Sequence, residues 1–280
     1  MKEVDEITLY WSTEDDIVDF IDENFDQKQR IVIDFEQEDF DTIEEAIPIL
    51  ENLQEVHPNF TIKISFTSQA LLEKLREKGI YYFFSIFCNS WDSLYAYATL
   101  GVSDVYITEE LCFNLKDVKA FCEPYKIKVR VFPNVAQVSG KDTSYIIPDV
   151  RKFFIRPEDI SIYEEYVDIC ELWCPIEKQS VLYEIYKSEQ WLGDLSDIIL
   201  SFYTQVSNTG FMPYFAKARL NCRKKCYKGN CRLCDMAIDI AHSMLKDGYE
   251  VSSKKKPVRD LEKMLEELKR DEPNEEDEEE

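Results

Sequence analysis

Residues 30–66 read RIVIDF, then EQEDFDTIEEAIPILENLQEVHPNF, then TIKISF. The outer runs, 30–35 and 61–66, are dense in β-branched and aromatic residues, which marks strands. Between them a helix opens at Asp41 or Thr42 and runs through Leu53. Strand, helix and strand in so short a span make a parallel crossover, because parallel neighbours need a connection of about a dozen residues or more.

The same alternation continues on both sides. Further strands are expected at 7–11, 81–88, 104–108, 126–132, 152–156 and 168–174. Ser12 precedes an acidic turn, Thr13 to Asp16, after which Ile17, Val18, Ile21 and Phe25 follow helical spacing. Ser68 starts a helix that stops at Gly79, and Ser90 or Asp92 one that stops at Gly101. Residues 134–150, with Gly140 and Pro148, read as a long loop in place of the sixth helix. Eight strands predict a compact or incomplete (β/α)8 TIM-like barrel, although the repeat region is roughly 180 residues against the usual ~250. An open doubly wound sheet is the alternative.

These readings divide the chain into a barrel-like domain at 1–205, a four-cysteine segment at 206–250, a charged helix at 251–270 and a disordered acidic tail at 271–280. Within the C-terminal part, helices are expected at 181–186, 195–203, 235–245 and 260–270, with a turn at Asn208-Thr209-Gly210.

The formal net charge is −23 and is unevenly placed. Residues 1–216 hold 18 basic and 40 acidic side chains, residues 217–270 hold 15 and 8, and the last ten hold eight acids. An acidic body therefore precedes a basic segment and an acidic tail. The longest apolar run is nine residues, against about 20 for a membrane helix, and the start lacks a secretory pattern, so a cytoplasmic protein without a membrane partner is expected.

Four of the nine cysteines, Cys222, Cys226, Cys231 and Cys234, are spaced C-x3-C-x4-C-x2-C. Short loops bring soft thiolates to a common point about 2.3 Å from a metal at little closure cost. Gly229 and Asn230 supply a reversing turn, and Arg223, Lys224, Lys225, Lys228 and Arg232 offset the thiolate charge. Zinc is the expected metal, because four thiolates saturate a tetrahedral ion, with a [4Fe-4S] cluster as the alternative. Cys88, Cys112, Cys122, Cys170 and Cys174 read as buried thiols.

Between Lys217 and Arg232 lie seven basic residues and no acid. With Tyr214, Phe215 and Tyr227 interleaved, this segment has the composition to contact phosphates and stack on bases; the competing reading pairs it with the acidic body or tail. At the expected strand ends, Asp34, Glu109, Arg156 and Glu171 form a candidate catalytic or ligand-binding set, with Arg156 available as counter-ion for a buried carboxylate; ion pairs and helix caps are the structural alternative. His57 and His242 have no partners suggestive of a triad, and no phosphate-cradling glycine loop is present.

The succession 101–105, 106–111, 117–125 and 128–133, in which a strand ending in polar residues leads through a helix to a further strand, resembles the middle of the barrel in the collagenase-like peptidase family. The resemblance covers residues 60–175 and rests on pattern. It implies a barrel; the family carries protease annotation and, in several branches, iron–sulfur clusters and hydroxylation of RNA bases or quinones, which raises the iron–sulfur option. The family's glycine and cysteine signature after the barrel is absent here, the four cysteines being consecutive, and no catalytic residue carries over. Three functional classes follow. They are a metal-binding barrel-like protein whose four-cysteine site stabilises a basic binding surface, an iron–sulfur barrel enzyme acting on a nucleic acid or small polar substrate, and an acidic interaction or assembly protein with a protein partner.

Overall fold

The computed structural model describes residues 6–11, 17–26, 28–65, 68–108, 111–135, 153–173, 176–200, 208–211, 215–220 and 222. The expected tail, the charged helix and the helix at 235–245 lie outside them.

Four strands, β1 (Glu6–Tyr10), β2 (Arg30–Asp34), β3 (Phe60–Ile64) and β4 (Tyr82–Phe84), form one parallel sheet in the order β1-β2-β3-β4. Strands β5 (Asp104–Tyr106), β6 (Lys128–Val131) and β7 (Ile169–Cys170) form a second, in the order β5-β6-β7. Ser103 N–H donates to the Tyr82 carbonyl at 2.8 Å and Cys88 N–H to the Tyr106 carbonyl at 2.7 Å, so β5 lies beside β4. Order in space thus follows order in the chain, without the reversal that marks a doubly wound sheet. Among the described residues no ladder joins β1 to the last strand.

The connecting helices are α1 (Ile17–Asn24), α2 (Phe40–Val56), α3 (Gln69–Glu77), α4 (Trp91–Leu100) and α5 (Leu115–Cys122). Local chemistry explains their ends. Ser90 caps α4 by accepting from Ser93 N–H at 3.2 Å, and Gly101 follows it with φ 74°, a left-handed conformation that costs glycine little. The α2 cap is Asp39, two residues before the expected start, where one carboxylate oxygen accepts from the Thr42 amide at 2.9 Å and the Thr42 hydroxyl at 2.8 Å.

Strand register separates two faces. Ile7, Ile31, Leu9, Ile33, Ile62, Ile64, Tyr82 and Phe84 share one; Tyr82 donates its hydroxyl to the Leu100 carbonyl and the Phe84 ring lies 5.2 Å from Tyr97, which seats α4 there. Glu6, Arg30, Asp34, Lys63 and Phe83 alternate onto the other.

Two compact units result. The first comprises residues 1–111, 116–130 and 166–169; the second comprises 112–115, 131–165 and 170–280. Within the second lie α6 (Ile160–Tyr163), α7 (Ile176–Lys187), α8 (Leu195–Ile198) and α9 (Phe215–Leu220), around a core that includes Phe153, Phe154, Ile155, Tyr163, Ile185, Trp191 and Phe215.

Two expectations fail here. Of the run expected at 152–156, the described residues 153–156 form no strand element: Arg156 is extended at φ −77°, ψ 156°, as a residue before proline prefers, and Pro157–Asp159 then turns the chain into a 3-10 turn. The helix expected at 195–203 stops at Ile198, because the Leu200 amide bonds the Asn134 carbonyl at 2.6 Å in a parallel bridge to Val135. Among the described residues no helix is long and apolar enough to cross a membrane.

Candidate functional site

Helix α9 carries the chain to the first of the four cysteines. Phe215, Ala216 and Arg219 are buried, and the Arg219 guanidinium lies over three rings: Phe154 at 4.6 Å, Phe215 at 5.1 Å and Phe113 at 5.5 Å. Phe154 and Phe215 stack at 6.2 Å, and Phe211 meets Phe215 edge-on at 4.9 Å. Cys222 follows, half-buried, its amide donating to the Arg219 carbonyl at 2.9 Å. Cys226, Cys231 and Cys234, with Arg223, Lys224, Lys225, Lys228 and Arg232, lie outside the described residues. Among the described residues no group of three or more His, Cys, Asp or Glu is gathered to hold a metal ion.

The strand-end set does not assemble as paired in the sequence. Asp34 ends β2 in register with Lys63 and is buried; one oxygen accepts from Lys63 Nζ at 3.1 Å, the other from the Glu36 amide at 2.8 Å. Lys63 also bridges to Glu36 at 3.0 Å. Burial opposes the Lys63 charge, but the bonds to Glu36 and Asp34 outweigh it and raise the pKa. Arg156 takes Asp159 as its partner, through Nε to Oδ2 at 2.6 Å and Nη2 to Oδ1 at 2.8 Å, with Asn208 and the Phe211 ring completing its surroundings. Glu171 is half-buried just past β7, its amide bonded to the Val131 carbonyl at 3.0 Å, and Glu109 lies outside the described residues.

Two polar networks form pairings that the sequence reading does not make, although Asn134 and Glu158 stand as polar residues at expected strand ends. In the first unit, Arg30 donates to Asp104 through both terminal nitrogens, one at 3.1 Å, and Arg130 donates to both Glu6 oxygens, one at 2.6 Å. Arg130 is fully buried over the Phe83 ring at 4.5 Å; burial works against its charge, and Glu6 and Asp104 more than offset this, holding the pKa above its ordinary value. The only sequence signal is charge placed in otherwise apolar strands. In the second unit, Glu158 accepts at Oε1 from the Trp191 amide at 2.7 Å and from Asn208 Nδ2, while its Oε2 is buried without a hydrogen bond. Burial raises the Glu158 pKa. Asn134 serves as a splint, donating to the Trp173 carbonyl at 2.8 Å and accepting from the Trp173 amide at 2.9 Å.

The remaining thiols divide. Cys88, Cys112 and Cys122 are buried, and burial pushes Cys88 up to about 11 and Cys122 up to about 12, so both are inert at neutral pH. Cys170 is exposed, against expectation, and Cys174 lies outside the described residues. His57 is buried with Nε2 at 3.0 Å from the Gln29 carbonyl, which makes it a tie between the end of α2 and the turn before β2. His242 lies outside the described residues.

No protein-family model, no curated protein and no solved structure matches the chain.

Proposed function

We propose that the chain is a metal-binding, barrel-like α/β protein in which Cys222, Cys226, Cys231 and Cys234 hold one zinc ion that stabilises a basic C-terminal binding surface at residues 217–232. The observation that carries this is the C-x3-C-x4-C-x2-C spacing that begins two residues past a helix with one buried face, Phe215, Ala216 and Arg219. The donor set fits: four thiolates complete a tetrahedral shell, leave no open position for substrate, and stabilise a fold. Support for the barrel comes from strands in chain order and from Glu6 of β1 reaching Arg130 of β6, which a flat sheet with four strands between them would not permit. The segment, with six basic residues besides the buried Arg219 and no acid, suits the phosphates of a nucleic acid.

Elemental analysis and a visible spectrum of the purified full chain test the metal. One zinc per colourless chain supports the reading; broad visible absorption with iron and sulfide replaces it with the iron–sulfur barrel enzyme; a chain without metal after growth in zinc- and iron-supplemented medium removes both. Salt-sensitive binding of single-stranded RNA that is lost in the double variant Lys224→Glu, Lys225→Glu supports the surface, and absence of binding at low salt rejects it in favour of pairing with the protein's own acids or a protein partner.

A further inference from the structure

We infer that an exposed aromatic strip on α4 and α5 docks a proline-rich peptide in the polyproline II conformation, at a place independent of the cysteine segment. Trp91 and Tyr95 are four residues apart on α4, a spacing that puts both on one side of the helix. Phe121 and Tyr125 repeat that separation at the end of α5 and in the 3-10 turn after it, Glu123–Tyr125. Ring contacts join the two rows: Trp91 meets Phe121 edge-on at 6.2 Å, and Phe121 meets Tyr125 at 5.3 Å. All four residues belong to the first unit.

The size of the strip limits what it can hold. Trp91 is 44% exposed, Tyr95 60% and Tyr125 50%, while Phe121 is half-buried. Side chains of this kind carry ~200–250 Å² each, so roughly 300–350 Å² of aromatic surface is open. A contiguous patch of that extent marks an interaction site on a soluble chain. It is less than half of the about 800 Å² that each partner covers in a stable dimer, so the strip is too small to hold a second copy by itself.

Charge and hydrogen bonding narrow the occupant further. Residues 91–100 and 115–126 carry three acids, Asp92, Asp117 and Glu123, against three lysines, Lys116, Lys119 and Lys126, so this face is neutral in a chain of net charge −23. Lys119 is tied to Asp168 and Lys116 lies over the Tyr166 ring at 5.4 Å, which leaves no concentration of cations for phosphates. An uncharged partner therefore matches it. Among the described residues, the Trp91 indole N–H and the hydroxyls of Tyr95 and Tyr125 have no hydrogen-bond partner, and they are available to carbonyls of a ligand. A flexible peptide would lose more in ordering than so small a patch returns. A proline-rich segment is ordered beforehand, leaves its carbonyls without internal donors, and packs its rings on aromatic faces.

The test uses the full chain and a fluorescein-labelled decaproline peptide read by anisotropy, with a glycine–serine decapeptide of equal length as the flexible comparison. Decaproline should bind with a Kd of about 100 µM, and the flexible peptide at least about tenfold more weakly. Tyr95→Ala should weaken decaproline binding about fivefold or more. Phe20→Ala, at a 49% exposed ring on α1, should stay within about twofold of wild type. Near-ultraviolet circular dichroism reports folding, and if Tyr95→Ala does not fold, Tyr125→Ala takes its place on the same scale. Absence of binding at about 2 mM decaproline, equal affinity for the two peptides, or a loss no larger in Tyr95→Ala than in Phe20→Ala overturns the inference. So does a dimer, seen by sedimentation velocity at about 50 µM chain, that Tyr95→Ala dissociates, since a second copy would then occupy the strip.

Discussion

Among the described residues each unit buries two arginines, and the two solve the same problem differently. In the first, Arg30 and Arg130 meet Glu6 and Asp104 in a neutral tetrad drawn from β1, β2, β5 and β6. In the second, Arg156 and Arg219 lie against phenylalanine rings, and Arg156 takes its carboxylate partner from three residues away. Long-range pairing makes the first cluster depend on the whole sheet, since removing one carboxylate leaves a buried charge without its counterpart. Aromatic solvation with a local partner is more forgiving, because the rings remain when the partner changes.

That contrast can be broken by denaturant unfolding. Asp104→Ala leaves Arg30 and Arg130 to share Glu6, a buried excess of one positive charge, and should cost about 3–5 kcal/mol, the largest effect. Arg156→Lys keeps a cation over Phe211 and loses the two-pronged contact with Asp159; a loss of about 1.5 kcal/mol is expected. If Arg156→Lys costs as much as Asp104→Ala, the distinction between the units fails. The smallest effect belongs to Glu158→Gln. Because burial raises the Glu158 pKa above its ordinary value of 4.5, the native state keeps a proton that the unfolded chain releases, and stability falls as pH rises through that window. The variant cannot titrate, so it should be more stable than wild type at neutral pH by at most about 1 kcal/mol, with the difference vanishing below pH 4.5. Melting curves with the same pH dependence in both proteins would remove Glu158 as the cause.

Sequence reading does best where cause and effect are close in the chain. Ser90, Gly79 and Gly101 mark helix ends because capping is decided within a few residues. Asp39 escapes it because acids at 38, 39 and 41 surround an apolar Phe40, which obscures which of them caps. The early stop of α8 is beyond local propensity, since it is imposed by Asn134 from more than sixty positions away. The tetrad is equally hidden: Arg30 to Asp104 spans 74 positions and Arg130 to Glu6 spans 124. The cysteine spacing is legible in full, whereas the aromatic cage around Arg219 depends on Phe113 and Phe154, which no local pattern links to α9.

The tryptophans offer an optical consequence. Trp191 is 1% exposed and donates its indole N–H to the Asp194 carbonyl at 3.0 Å, whereas Trp91 is 44% and Trp173 56% exposed. A small quencher in solution will strip emission from the exposed indoles first and leave a blue-shifted component from Trp191. Acrylamide suits this better than iodide, which a chain of net charge −23 repels. Trp11, half-buried and stacked on Phe35 at 4.7 Å in the first unit, contributes beside it, so the quenched spectrum follows the sheltered indoles of both units without any engineered label.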